Sequence, residues 1–337
     1  MRVAAFGGAG RGLAIERRPD PVPGPGQVVL AVARCGICAT DLHLTSGRGA
    51  IQLPPGAVPG HEYAGEVVAI GPGVEQLRVG DRVTALPLAG CGACAACLAG
   101  EPFWCVEGLP AEAGGGFAEQ VLVHARQTVP LPDALSWEDG ALVEPLAVGL
   151  HGVHMARLAP GARVLVLGAG PIGLAATFWA RRLGAGPLAV MARSRRREQL
   201  AAALGASCFL VAEDDVAAAL GGPPEVVIEA AGLPGTLARA VDLVAPRGTV
   251  VGLGFCTLPD TLVPAHAVAK QVRLQFAMAY GVADFRHVIA TLAAGDVAPR
   301  RLVTETVSLA TLPALFETLR GPSPHCKVLV DPAASAG

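Results

Sequence analysis

Four cysteines fall within fifteen residues: Cys91, Cys94, Cys97 and Cys105, in the run GCGACAACLAGEPFWC. The spacing C-x2-C-x2-C-x7-C suits a tetrahedral cage of thiolates around zinc, in a segment too short and too rich in Gly and Ala for a core of its own. Such a cage has no open coordination position, so it holds structure and does no chemistry. A second set of metal-competent residues is spread along the first half: Cys38, Asp41 and His43 in CGICATDLH, then Gly60-His61-Glu62, then Glu144-Pro145. A catalytic zinc takes about three protein ligands and keeps one position open for water or substrate. Cys38, His61 and a carboxylate, Glu62 or Glu144, would provide that set. Cys35 and Cys38 also have the spacing of a redox dithiol, but their surroundings lack a thioredoxin-type arrangement.

A third constellation is Gly168-Ala169-Gly170-Pro171-Ile172-Gly173. It follows an apolar run that reads as a strand, and it opens a run that reads as a helix. In that context the first glycine makes a tight turn, the second lets backbone approach a pyrophosphate, and the third lets helix and strand pack closely. The helix N-terminus adds N–H donors and partial positive charge for the anion. NAD readers place Asp or Glu at the end of the next strand for the ribose hydroxyls. Here that position is Ala192, followed by Arg193, Ser194 and, further on, Arg197. A missing carboxylate with arginine and serine beside it favours NADP(H) over NAD(H).

The elements that must position these groups fall into two patterns. Residues 1–148 carry short alternating runs, Gln27–Ala33, Tyr63–Ile70, Asp81–Leu86 and Gln120–His124, with Gly and Pro punctuation, which predicts a barrel-like β domain. From about residue 160, apolar strands alternate with Ala-rich helices: Arg163–Leu167, Pro171–Leu183, Leu188–Ala192, Arg195–Leu204, Cys208–Val211, Glu225–Ala230, Leu237–Val244 and Thr249–Leu253. That alternation predicts βαβ units and a doubly wound parallel sheet. The last residues return to β-like runs at Arg301–Val307 and Lys327–Val330. A length of 337 residues suits two domains. Hydrophobic residues make up 52%, charged residues 16%, and the net charge is −2, so nucleic acid and anionic membrane are not expected partners. No apolar stretch is long enough to span a bilayer, and no secretory leader is apparent. Of nine cysteines, those at metal spacing outnumber the isolated ones and the total is odd, which points to a reducing cytoplasm. Cys208, Cys256 and Cys326 read as small core hydrophobes, and His124, His151, His154, His266, His287 and His325 as structural.

The run Gly60-His61-Glu62-x-x-Gly65-x-Val67-x-x-x-Gly71-x-Gly73-Val74, closing with Gly80-Asp81-Arg82-Val83, resembles the zinc signature of medium-chain alcohol dehydrogenases. Together with the cysteine lobe, the glycine turn and Glu144-Pro145, the resemblance covers nearly the whole chain in family order. CGICATDLH and ALVEPLAVGLHGV are most similar to the polyol, butanediol and threonine dehydrogenase branch. It implies a GroES-like β-barrel catalytic domain over 1–148 with a zinc lobe at 90–106. A Rossmann domain would follow over 149–296, and residues 297–337 would return to the catalytic domain. It implies two zinc ions, one catalytic and one structural. Cys38 and His61 would be catalytic ligands, Glu62 and Glu144 would be candidates for the third, and Asp41 would hold the other imidazole nitrogen of His61.

The implied reaction is reversible hydride transfer between NADP(H) and a small alcohol or polyol, or the matching ketone or aldehyde. Zinc would act as the Lewis acid. Thr40 would hydrogen-bond the substrate oxygen, and His43 would pass the proton through the cofactor ribose toward solvent. The segment Thr45–Val58, with Thr45, Ser46, Arg48 and Gln52, would border the substrate mouth. The stretch AVAKQVRLQFAMAY, with Lys270 and Tyr280, looks like the family's late strand near a subunit interface, and a homodimer or homotetramer is implied. Two other readings stand beside this one. A zinc-free quinone or enoyl reductase of the same superfold is disfavoured by both zinc constellations. A non-catalytic binding protein is disfavoured by the intact set Cys38, Thr40, His43, His61 and Glu144.

Overall fold

The computed structural model describes residues 1–47, 51–107 and 115–335. The chain divides into two compact units, one of Met1–Glu144 with Gly281–Gly337, the other of Pro145–Tyr280. The return to the first unit thus begins at Gly281 and includes the helix Val282–Ala293, ahead of the expected start at 297. That helix is amphipathic, with Phe285, Val288, Ile289 and Leu292 buried along one face.

In the first unit a seven-stranded sheet runs Val303–Ser308, Lys327–Asp331, Gln27–Gly36, Glu62–Ile70, Arg82–Ala85 and Thr128–Pro130, with Gln120–His124 also pairing with Gln27–Gly36. Gln27–Gly36 is its organising strand, extending beyond the expected Ala33 and hydrogen-bonding to three partners. Its alternation places Val28, Leu30, Val32 and Cys35 in a core with Val67, Val83, Phe117, Phe316 and Val330. A separate hairpin pairs Arg2–Phe6 with Leu13–Arg17.

The second unit is built on a six-stranded parallel sheet, in the order Cys208–Leu210, Leu188–Met191, Val164–Leu167, Val226–Glu229, Thr249–Gly252, Arg273–Phe276. Numbered by chain position this is 3-2-1-4-5-6, the doubly wound order whose switch point lies beside the first strand. VLVL, LAVM and the first three residues of VVIE are apolar without alternation because helices cover both faces, and every residue in these strands is buried, Glu229 included. Two later helices were not foreseen from sequence, Val216–Leu220 and Pro264–Lys270, while the edge strand Arg273–Phe276 falls within the stretch expected from the resemblance to hold a late strand. The last has the burial of an edge, so its alternation carries no inward signal. Cys208, Cys256 and Cys326 are half-buried rather than core residues, and of these Cys208 packs against the sheet's apolar cluster.

Candidate active site

Three strand ends meet in the first unit and place the metal-competent side chains. The strand Gln27–Gly36 ends two residues before Cys38, which caps the short helix Ala39–Leu44. The strand Glu62–Ile70 begins immediately after His61 and pairs antiparallel, with Glu62 opposite Gly36. The strand Lys327–Asp331 lies on the other side, where Ile37 N–H donates to the Val328 carbonyl at 2.9 Å. Ligand atoms of Cys38, His61 and Glu62 all lie within 4.8 Å of one another. Gly36 is required by this packing: a Cβ there would collide with the Glu62 carboxylate.

Asp41 organises the group. One carboxylate oxygen lies 3.3 Å from His61 Nδ1 and accepts from Gly60 N–H at 3.1 Å; the other accepts from Cys38 N–H at 2.9 Å. Burial opposes ionisation of Asp41, but His61 and these amides outweigh it and hold the carboxyl below its usual range. Burial likewise opposes a charged His61, yet Asp41 and Cys38 beside it raise its pKa well above the ordinary value. Asp41 on Nδ1 leaves Nε2 as the metal-facing nitrogen.

Glu62 is fully buried, and so, at 2% exposed, is a lysine that the sequence reading missed, Lys327. Lys327 Nζ donates to Glu62 Oε1 at 2.7 Å, to Oε2 at 2.6 Å and to the Ile37 carbonyl at 3.0 Å. Burial alone would favour neutral lysine; the charges of Glu62, Cys38 and Glu144 keep it protonated. Glu144 is 7% exposed on the helix Trp137–Ala156, which contains Pro145. A lone lysine inside the apolar run CKVLVDP was the available signal, since a buried lysine needs a paired carboxylate.

Thr40 is half-buried and His43 exposed on the helix Ala39–Leu44. Thr45 does not border a mouth: it is 3% exposed, and its hydroxyl donates to the Asp41 carbonyl at 2.6 Å. Ser46 and Gln52 also donate to the His43 carbonyl, at 2.8 and 3.3 Å. Arg48 lies outside the described residues. Arg320 braces the same helix end, donating to the Leu42 carbonyl at 2.5 Å and to Thr45 Oγ1 at 2.9 Å. Cys35 does not pair with Cys38; it is fully buried, and burial raises its thiol pKa well above the ordinary value.

The four lobe cysteines also cluster within 4.8 Å. Cys91 and Cys97 sulfurs lie 4.0 Å apart. Zinc–sulfur bonds of about 2.3 Å in a tetrahedron give an S···S edge of about 3.8 Å, so the cage fits the ion. Backbone N–H groups of Cys91 and Cys94 point at Cys105 and Cys91 sulfurs, at 3.1 and 3.3 Å, and the amides of Ala93 and Cys94 hold the Cys91 thiol below its ordinary value. In the second unit the glycine turn has the shape of a pyrophosphate cradle. Gly168 has φ +106°, a Cβ on Gly170 would meet nothing within 4 Å, and one on Gly173 would strike the Gly168 carbonyl. Gly170 caps the helix Pro171–Arg182, with Pro171 and Ile172 opening its first turn. Arg197 donates to the Ala169 carbonyl at 2.8 Å, while Arg193 and Ser194 are exposed after the strand Leu188–Met191.

Comparison with known proteins agrees with this geometry. Residues 24–133 match the alcohol dehydrogenase GroES-like domain, and residues 171–294 match the zinc-binding dehydrogenase domain. The crystal structure of 2R,3R-butanediol dehydrogenase from Bacillus subtilis superposes with a TM-score of 0.87, at 32% identity over 98% of this chain and 99% of that one. An rspB alcohol dehydrogenase from Escherichia coli CFT073, complexed with NADH, gives a TM-score of 0.89 at 28% identity over 98% and 99% of the two chains. A zinc-binding dehydrogenase from Sinorhizobium meliloti 1021, bound to NADP, gives 0.86 at 31% identity over the same shares. A chain whose first unit gathers a thiol, an imidazole and a carboxylate at its strand ends and carries a four-thiol lobe, and whose second unit carries a glycine turn on a doubly wound sheet, therefore belongs to the zinc-dependent medium-chain alcohol dehydrogenases, in their polyol dehydrogenase-like branch, as an oxidoreductase acting on alcohols.

Proposed function

We propose that this chain is an NADP(H)-preferring dehydrogenase of small alcohols or polyols, able to run in reverse on the matching ketone or aldehyde. The observation that carries this reading is the convergence of Cys38, His61 and Glu62, with the charge of Glu144 acting on the same Lys327. Cys38, His61 and one carboxylate would hold the catalytic zinc, and Cys91, Cys94, Cys97 and Cys105 the structural one. Bound there, zinc supplies Lewis acidity toward the substrate oxygen. Asp41 fixes the ring of His61. Thr40, in the first turn after Cys38, would hydrogen-bond the substrate oxygen and start the proton relay, releasing its own proton onward as it receives that of the substrate. His43, three residues on and exposed on the same short helix, would carry that proton through the cofactor ribose toward solvent.

Gly168, Gly170, Pro171, Ile172 and Gly173 would hold the pyrophosphate. The preference for NADP(H) rests on Ala192 in place of the ribose-binding acid, with Arg193, Ser194 and Arg197 near it; Arg195 is already committed to Glu198 and Asp214, both at 3.1 Å. Relatives of both cofactor types exist, so the local residues carry this choice. A homodimer or homotetramer is supported by the strand Arg273–Phe276, whose outer edge closes the sheet with Leu274, Phe276 and Met278 exposed at 38%, 64% and 52%. A cytoplasmic location is supported by nine cysteines that are all free. The test is a panel of vicinal diols and polyols oxidised with NADP+ and NAD+, with and without prior removal of metal by a chelator. Metal-dependent oxidation that prefers NADP+ is expected. Undiminished turnover after metal removal would count against the zinc reading, and an equal response to both cofactors against the arginine assignment.

A further inference from the structure

A buried carboxylate stands where the second unit's sheet reverses its order. Glu229 ends the strand Val226–Glu229, between Leu167 on one neighbour and Gly252 on the other, and is 4% exposed. A charge placed this deep needs donors. One oxygen, Oε1, accepts from Ala231 N–H at 2.8 Å, from Gly232 N–H at 2.9 Å and from Thr236 Oγ1 at 2.9 Å. The turn after the strand is thereby folded back onto the side chain that precedes it. A trans peptide is planar, so an N–H turned toward the carboxylate turns the carbonyl of the same peptide away from it. The Ala230 and Ala231 carbonyls therefore face away from Glu229, and neither accepts a hydrogen bond among the described residues. This turn lies against the glycine turn. A Cβ on Gly168 would stand 2.8 Å from Ala231 N and 3.0 Å from the Ala230 carbonyl oxygen, and one on Gly173 would meet the Ala230 side chain at 3.4 Å. On the other side a Cβ on Gly254 would strike Gly232 N and come within 2.8 Å of Glu229 Oε2. Two unclaimed carbonyls thus sit beside the pyrophosphate cradle. They lie on the half of the sheet, Val226–Glu229, Thr249–Gly252 and Arg273–Phe276, that a doubly wound fold gives to the second nucleotide of a dinucleotide.

We propose that Glu229 is a positioning residue for the nicotinamide half of the cofactor: by tying the Ala231 and Gly232 amides to itself, it presents the Ala230 and Ala231 carbonyls to the hydroxyls of the nicotinamide-side ribose. This rests on the dinucleotide reading above and goes beyond the glycine turn, which holds only the pyrophosphate. A sugar is the group that suits the place, because two acceptors with no donor between them repel phosphate oxygens and take O–H groups. Without the carboxylate the two amides lose their acceptor, the peptides are free to turn over, and the ribose loses both carbonyls. The adenosine half is untouched, because the residues assigned to it, Arg193, Ser194 and Arg197, follow a different strand, Leu188–Met191.

The test uses the full-length protein and titrates each reduced dinucleotide against its own adenosine half: NADPH against adenosine 2′,5′-bisphosphate, and NADH against AMP. The quantity read is the ratio of affinities within a pair, so a wrong choice between NADP(H) and NAD(H) changes which pair binds tighter and not the ratio. Glu229→Ala should weaken the dinucleotide by about tenfold or more, the worth of one or two hydrogen bonds, and leave its adenosine half within about twofold of the parent. Turnover at saturating cofactor should fall by about tenfold as well, since a nicotinamide whose sugar is loose spends less time aligned for hydride transfer. A residue that only braced the fold would lower the melting temperature and leave the ratio and turnover unchanged below it. Glu229→Gln, whose amide oxygen can accept the same three bonds, should keep the ratio within about threefold of the parent. Glu229→Asp, which keeps the charge but withdraws the oxygens by one methylene, should weaken the dinucleotide more than Glu229→Gln does. If Glu229→Ala does not fold, that order decides alone. Equal losses in a dinucleotide and its half, an unchanged ratio in Glu229→Ala, or the reverse order of the aspartate and glutamine variants would overturn the proposal. A parent protein that binds neither dinucleotide would overturn the cofactor reading and this proposal with it.

Discussion

Cys38 and His61 come from different strand ends, but each has a backbone-fixed direction, and Asp41 ties the two together by accepting from Cys38 N–H while bonding the ring of His61. Cys38→Ser should therefore abolish turnover while leaving dinucleotide binding intact, because the glycine turn belongs to the other unit; retained turnover in a steady-state assay would sink the zinc mechanism. Asp41→Asn should weaken catalytic metal binding by about 10–100-fold without changing the ligand set, measured by chelator competition. These residues were legible in sequence because they sit within short stretches with recognisable neighbours. Lys327 was not, since it reaches Glu62 across 265 positions and only the pairing of Lys327–Asp331 with Gln27–Gly36 brings it there. Thr45 was misjudged for a related reason: a threonine after a short helix can face solvent or turn back onto the helix, and Arg320 and the Asp41 carbonyl decide which.

At the scale of elements, the zinc lobe is tied to its unit by Arg126, which donates to the Gly90 and Cys91 carbonyls, and by Val282 N–H, which donates to the Gly100 carbonyl at 2.8 Å. Its own helix, Ala95–Leu98, has four residues and buries no side chain. Cys94→Ser should lower thermal stability and release about one zinc per chain; an unchanged melting temperature with full lobe zinc would count against a structural site. The long helix Trp137–Ala156 starts with a reciprocal cap, in which Ser136 N–H donates to Asp139 at 2.8 Å and Asp139 N–H donates to Ser136 Oγ at 3.2 Å. Arg300 adds two bonds of 2.8 Å to the same carboxylate. Burial works against ionisation of Asp139, but these donors outweigh it and keep the carboxyl below its usual range. A carboxyl with a lower value folded than unfolded stabilises the fold above its unfolded value of about 3.9 and loses that contribution as pH falls through the folded value. Asp139→Asn should cost about 1–3 kcal/mol at neutral pH and flatten the acid limb of the stability profile below about pH 4; an unaltered acid limb in denaturant titrations would contradict this. The parallel strands were readable because continuous apolar runs bounded by glycine have few alternatives. The edge strand Arg273–Phe276 was placed by the family resemblance and not by its pattern, because RLQF is short, exposed and mixed in character.

For the whole molecule, the order of the second unit's sheet makes Arg273–Phe276 its terminus, and a second copy of the chain related by a twofold axis could continue it. Phe276→Asp should shift the protein toward monomer in sedimentation velocity, with the monomer keeping its dinucleotide affinity; an unchanged distribution would place the interface elsewhere. Arg193→Ala should weaken NADPH by about tenfold or more and NADH little, the worth of one charged hydrogen bond; equal losses would mean that another residue reads the phosphate. The division into two kinds of unit was visible in the change from alternating to continuous apolar runs near residue 160. The point of return to the first unit was not, because the helix Val282–Ala293 continues the Ala-rich pattern of the second. The central claim is that this chain carries two metal sites of different purpose, and the most direct measurement is zinc per chain by elemental analysis, on the parent protein and on Cys38→Ser, each titrated with NADPH. About two zinc ions are expected in the parent and about one in the variant, with NADPH affinity the same in both. A single zinc in the parent, or two in Cys38→Ser, would contradict it.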